Sequence, residues 1–154
     1  MAQGTHDFAA DPRNDTILIN VNGAMTPRAQ ATGSVFDSGF MLGDGVWEGL
    51  RQHRGRIAFL EAHLDRLYEG AKAIAMHIGL TREELTRRID DTIDANAMRE
   101  EEGVHIRLMV TRGIRSTPYQ DPRVVISPAT IVIIPEYKAP LPSTIETGIR
   151  LFTV

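Results

Sequence analysis

Between Ser38 and Arg66 the sequence SGFMLGDGVWEGLRQHRGRIAFLEAHLDR restricts the fold more than any other segment. Gly43-Asp44-Gly45 brackets a turn that feeds an extended run ending in Glu48-Gly49-Leu50-Arg51. Arg54-Gly55 predicts a tight turn, so Val46 to His53 and the shorter Arg56 to Phe59 pair as a hairpin. From Leu60 to Met76 the apolar positions Leu60, Leu64, Leu67, Ala71, Ile74 and Ala75 recur at helical spacing. A hairpin running straight into an amphipathic helix puts Glu48, Arg51, His63 and Arg66 within a short span of chain. That suits a small anionic ligand better than it suits packing.

The flanking sequence extends this pattern. Ile17 to Val21 is a short β run, Asn22-Gly23 is a strong two-residue hairpin signal, and Ala24 to Arg28 is the return strand. A second helix opens at Thr81 with Glu84 three residues on, a capping box, and carries Leu85, Ile89, Ile93 and Met98 on or near one face. Val104 to Thr111 alternates: Val104, Ile106, Leu108 and Val110 point one way, and His105, Arg107, Met109 and Thr111 the other. A polar loop from Arg112 to Pro128 leads to an apolar strand, Ala129 to Ile134. The fold class expected is α+β, an antiparallel sheet with two helices on one face.

Four regions follow. Residues 1–15 are a flexible arm and 16–135 the α+β domain. Residues 136–146, stiffened by Pro140 and Pro142, form a linker. Residues 147–154 start a β segment that follows the linker without a partner hairpin or helix, which reads as the first strand of a second domain, the rest of it absent. The alternative is a terminal strand pairing back into the first sheet.

Composition removes several classes of function. A net charge of −3 supplies no basic field for nucleic acid. Zero cysteines exclude disulfides and thiolate metal sites, no metal ligand set is apparent, and a reducing cytoplasm is the expected location. No apolar run approaches the roughly 18 to 20 residues of a membrane span, and the polar N-terminus has no signal-peptide core.

Arg66 is the sharpest single candidate, because a guanidinium at the inner edge of a helix can hold a phosphate through a planar fork. His63, one turn earlier, lies on the same side and would support the same oxyanion. A solvated His/Arg pair is the plain alternative. Glu48 and Arg51 fit a surface ion pair of small energetic worth. Arg107, a charge on an otherwise apolar strand, needs either water or an anionic partner such as a substrate carboxylate. Arg112, Arg115 and Arg123 surround Tyr119 in a long loop that either lines a site or is simply floppy and basic.

Together these segments resemble the class IV (fold type IV) pyridoxal-phosphate aminotransferases, which include the branched-chain and D-amino-acid aminotransferases and aminodeoxychorismate lyase. The resemblance runs from Ile17 onward through the Asn-Gly hairpin, FMLGDGVWEGLR, FLEAHLDRLYEGAKAI, HIRLMVTRG and IVIIPEYKAP. It implies the small domain of such an enzyme, with pyridoxal 5'-phosphate as cofactor and Arg66 on its phosphate. Arg51 and Arg107 fall near the substrate carboxylate or side-chain pocket. Trp47, where D-amino-acid enzymes carry a carboxylate-binding tyrosine, becomes a pocket wall, and His105 replaces a further tyrosine of the branched-chain group.

The same resemblance implies a homodimer and the transfer of an amino group from an amino acid, branched-chain-like, or an amine to a 2-oxo acid. A lyase acting on an aminodeoxychorismate-like substrate and a non-catalytic binding module stay open as rivals. Such chemistry needs a Schiff-base lysine. The two lysines, Lys72 and Lys138, match no such position. The catalytic lysine is therefore expected beyond Val154, in the remainder of the enzyme, and the 154 residues alone are expected to be inactive.

Overall fold

The computed structural model describes residues 10–139 together with Glu146 and Gly148. Its centre is a six-stranded antiparallel sheet of β1 (Leu18–Val21), β2 (Ala24–Pro27), β3 (Gly45–His53), β4 (Arg56–Ile57), β5 (Val104–Thr111) and β6 (Thr130–Tyr137), in the order β2-β1-β6-β5-β3-β4. The helices are a short α1 (Ser38–Leu42), α2 (Leu60–Ala73) and α3 (Arg82–Ala95). α2 lies against β3, and α3 against β1 and β6.

Strand alternation decides the two faces. In β5 the residues Val104, Ile106, Leu108 and Val110 are fully buried, and His105, Arg107, Met109 and Thr111 between them are half-buried. Antiparallel partners share a face, so Glu48, Leu50 and Gln52 of β3 join the buried set opposite Leu108, Ile106 and Val104. Trp47, Gly49 and Arg51 join the open one. The helices fill the buried face with Leu64, Leu67 and Ala71 from α2 and Leu85, Ile89 and Ile93 from α3. Thr81 accepts from the Glu84 amide and the Glu84 side chain bonds the Thr81 amide, completing the capping box that starts α3.

The structure departs from the sequence reading in several places. Residues 11–16, assigned in part to a flexible arm, make a 3-10 turn Pro12–Thr16 that is tied to the far strand. Asn14 exchanges side-chain bonds with the Tyr137 backbone, and Arg13 stacks at 3.6 Å on the Tyr137 ring. β6 continues through Tyr137, two residues into the expected linker, because Val104 and His105 still pair with Tyr137 and Glu136. The five residues of α1 are too short for apolar periodicity; Asp37 caps its start and Gly43, left-handed at φ 66°, its end. Most of the linker and nearly all of the expected second-domain strand lie outside the described residues.

Candidate active site

β3 carries the charged groups to both faces of the sheet. On the helix side, Glu48 has a side chain only 3% exposed. A carboxylate so buried needs compensation, and it receives it from the opening turns of α2. Arg66 donates to Glu48 through Nε at 2.6 Å and Nη2 at 2.5 Å, and His63 Nδ1 lies 2.8 Å from the same carboxylate. Arg66, with His63 beside it, holds the Glu48 carboxyl below the usual carboxylate range, although burial alone pushes the other way. The Arg66 side chain is still 71% exposed, so its remaining N–H edge faces outward. That edge, next to a helix and already oriented, fits a phosphate group.

The open face gathers the other four candidates. Trp47, Arg51, His105 and Arg107 share it, with Gly49 directly opposite Arg107 and Arg51 opposite His105. Gly49 has no side chain to fill the space, and the Arg107 guanidinium lies over the Trp47 ring at 4.1 Å. Arg51 is committed to backbone, donating to the carbonyls of Lys138 and, at 3.4 Å, Gly103. Burial first, then the Arg51, Lys138 and Arg107 cations, push the His105 imidazole below its ordinary pKa. Arg66 is not part of this group and sits on the other side of β3.

The outer edge of β3 separates the two sides. β4 pairs only with Gln52 and His53, so among the described residues no strand covers the outer edge of β3 from Gly45 to Leu50. Arg66 lies on the helix side of β3 and the Trp47–Arg107 stack on its open side.

The expectation of a Glu48–Arg51 surface pair is overturned. The two residues are three apart in a strand and point to opposite faces, and Glu48 belongs to Arg66 and His63. Its parity with Leu50 was the available signal: a carboxylate in register with the core must find a cation. The floppy-loop reading of Arg112 and Arg115 also fails. Arg115 is buried and donates to Ser38 Oγ, to Asp44 and to the carbonyls of Tyr119 and Asp121. Arg112 forks onto Asp44 at 2.7 and 3.0 Å and reaches the carbonyls ending α2. The Gly43-Asp44-Gly45 turn is thereby locked to the loop after β5 and to α2. Arg123 stays at the surface with Asp121.

Among the described residues no group of His, Asp and Glu is placed to hold a metal ion, and no helix is long and apolar enough to cross a membrane. A family model described as amino-transferase class IV matches residues 45–151. Branched-chain-amino-acid aminotransferase-like protein 1 of Arabidopsis thaliana is 41% identical over 142 residues, 92% of this chain and 25% of that protein. The crystal structure of the branched-chain aminotransferase from the archaeon Thermoproteus uzoniensis, with norvaline, aligns at TM-score 0.65 and 25% identity. It covers 79% of this chain and 40% of its own. A second branched-chain amino acid aminotransferase, that of T.th., complexed with N-(5'-phosphopyridoxyl)-L-glutamate, aligns at TM-score 0.63 and 26% identity, over 78% and 40%. The chain therefore spans between a quarter and two fifths of these proteins. With the match running from the start of β3 through β6, and with an α+β fold shared with solved relatives, the chain belongs to the class IV aminotransferases.

Proposed function

We propose that this chain forms the small-domain half of a pyridoxal-phosphate-dependent aminotransferase that moves an amino group from a branched-chain-like amino acid or an amine to a 2-oxo acid. The observation that carries the reading is the unpaired edge of β3, with an oriented guanidinium on one side and a guanidinium stacked on an indole on the other. Pyridoxal phosphate, when bound, supplies the electron sink that lets an amino group change carriers. Arg66 binds its phosphate through the edge that Glu48 leaves free. Arg107, 4.1 Å above the Trp47 ring, offers a planar fork to a substrate carboxylate, and Trp47 walls the pocket and excludes water. His105 and Arg51 set the charge at the far end of the same face.

Lys72 is exposed on α2 and Lys138 follows β6. Neither stands at the position that the resemblance gives the Schiff-base lysine. The amine that handles the substrate proton is supplied from outside these 154 residues, in the remainder of the enzyme or a partner subunit. The relatives named above support this reading, since two are described as branched-chain aminotransferases and one is complexed with a phosphopyridoxyl amino acid.

The test is an amino-transfer assay on the complete enzyme, following labelled nitrogen from a branched-chain amino acid to a 2-oxo acid alongside pyruvate release. Transfer without pyruvate supports the proposal. Pyruvate release from an aminodeoxychorismate-like substrate without transfer would assign the lyase reaction instead.

A further inference from the structure

We propose that Glu48 is the positioning residue for Arg66, fixing one edge of the guanidinium from the buried face of β3 so that the other edge is presented to the cofactor phosphate. The inference rests on the reading of Arg66 given above. The alternation of β3 leaves Glu48 no choice of side: it is in register with Leu50 and Gln52 and opposite Leu108, all fully buried. Buried there at 3% exposure, the carboxylate has two stable partners, Arg66 and His63, and both come from the first turns of α2.

The geometry is a held fork. Nε and Nη2 of Arg66 both point at the carboxylate, at 2.6 and 2.5 Å, and His63 occupies a further lone pair at 2.8 Å. A guanidinium that is 71% exposed would otherwise sample many rotamers, and an anion binding it would have to order the side chain itself. Glu48 does that ordering in advance, which is how preorganisation raises affinity. Glu48 itself is too deep behind the guanidinium to touch the ligand.

Two effects of Glu48 on a phosphate oppose each other. As a positioner it strengthens binding; as a nearby anion it weakens binding. The sign of one substitution separates them. In the complete enzyme, dissociation constants are measured for pyridoxal phosphate and for pyridoxal, which lacks the phosphate, with Arg66→Ala, Glu48→Gln, Glu48→Asp and the double variant Glu48→Gln/Arg66→Ala. Melting temperatures of the apoproteins report folding separately.

Glu48→Gln is expected to weaken pyridoxal phosphate about tenfold, the scale of one charge-assisted hydrogen bond, and to leave pyridoxal unchanged. The double variant should bind no more weakly than Arg66→Ala alone, because a residue acting through another has nothing left to act on. Glu48→Asp keeps the charge and withdraws it by one methylene, so it should move in the same direction as Gln and serves if the Gln variant does not fold. Unchanged or tighter pyridoxal phosphate binding by Glu48→Gln, with Arg66→Ala weakened, overturns the positioning role and leaves Arg66 as the phosphate ligand. Wild-type retention by Arg66→Ala overturns both.

Discussion

The guanidinium carbon of Arg107 on β5 lies 4.1 Å from the centre of the Trp47 ring on β3. The two residues are diagonal neighbours on adjacent strands, close enough for long and aromatic side chains to meet. Among the described residues no hydrogen bond or ion pair takes the Arg107 side-chain N–H groups, which leaves them to a ligand.

Trp47→Ala should therefore raise the KM for the carboxylate substrate about two- to fivefold, matching the ~0.5–1 kcal/mol of an exposed cation–π contact, and change kcat less. Trp47→Phe should keep most of the wild-type KM. Trp47 is the single tryptophan of the chain, so the fluorescence lost in Trp47→Phe isolates its signal, and a bound carboxylate should perturb that signal. A KM that ignores both substitutions would remove Trp47 from the site.

Arg115 presents the opposite situation, a cation with a side chain 1% exposed that makes four hydrogen bonds inside the fold. Removing the guanidinium leaves Asp44 half-compensated and takes the Tyr119 carbonyl's donor away, while the Asp121 carbonyl keeps the Val124 amide. Arg115→Met should destabilise by about 3–5 kcal/mol, as breaking a buried pair does, read as a lowered urea midpoint. A shift below the error of the urea midpoint would show that the network is redundant.

Asp44 gives that network a pH dependence. Arg112 chiefly, with Arg115, holds its carboxyl below the usual range against burial. A folded pKa below the unfolded one makes the stabilisation complete above the unfolded value of about 3.9, and lost as pH falls through the folded value. Asp44→Asn should lower stability at neutral pH and flatten the acid limb of a stability–pH curve. An acid limb parallel to wild type would place the sensitive carboxylate elsewhere.

How much of this was legible in the sequence depends on the range of the contact involved. β5 could be read to the residue because strict alternation is a local signal, and α3 because its capping box spans four residues. His105 and Arg107 fell on one face for the same reason, but that Trp47 and Arg51 join them depends on the β3–β5 register, which the sequence does not show. Pairings between distant segments were not readable. Asn14 meets Tyr137 across most of the chain, and Arg115 finds Asp44 only after β3 and β5 are aligned. Glu48 lay between these cases: its parity was visible, its partners on α2 were not.

Gly113 sits where the loop after β5 turns, at φ 102°, with a side-chain carbon there meeting Ser127 Oγ at 2.6 Å and striking the Pro128 carbonyl oxygen. Backbone cannot withdraw as a side chain can. Gly113→Ala should destabilise by at least about 2 kcal/mol, combining strain with the clash. Gly43, at φ 66° with nothing within 4 Å, is the control: alanine there should cost only the left-handed penalty of about 1 kcal/mol. Equal urea midpoints for the two variants would refute the clash.

His105 tests the open face as a carboxylate site. It stands between Arg51 of β3 and Glu136 of β6, and burial, Arg51, Lys138 and Arg107 together disfavour its proton. An imidazole with a folded pKa below its unfolded value of 6.5 is a liability in acid. The unfolded chain takes up the proton first, so stability falls as pH drops through that value and levels off below the folded one. His105→Gln should remove this slope and leave stability above neutral pH nearly unchanged. A carboxylate held by Arg107 would offset the cations that depress the imidazole, so His105 should titrate at higher pH when a substrate analogue is bound. By linkage, binding should then draw a proton from solution between the free and bound values. The measurement is an NMR titration of His105 with and without the analogue. Coincident curves, with the analogue demonstrably bound, would put the substrate carboxylate on some other part of the enzyme.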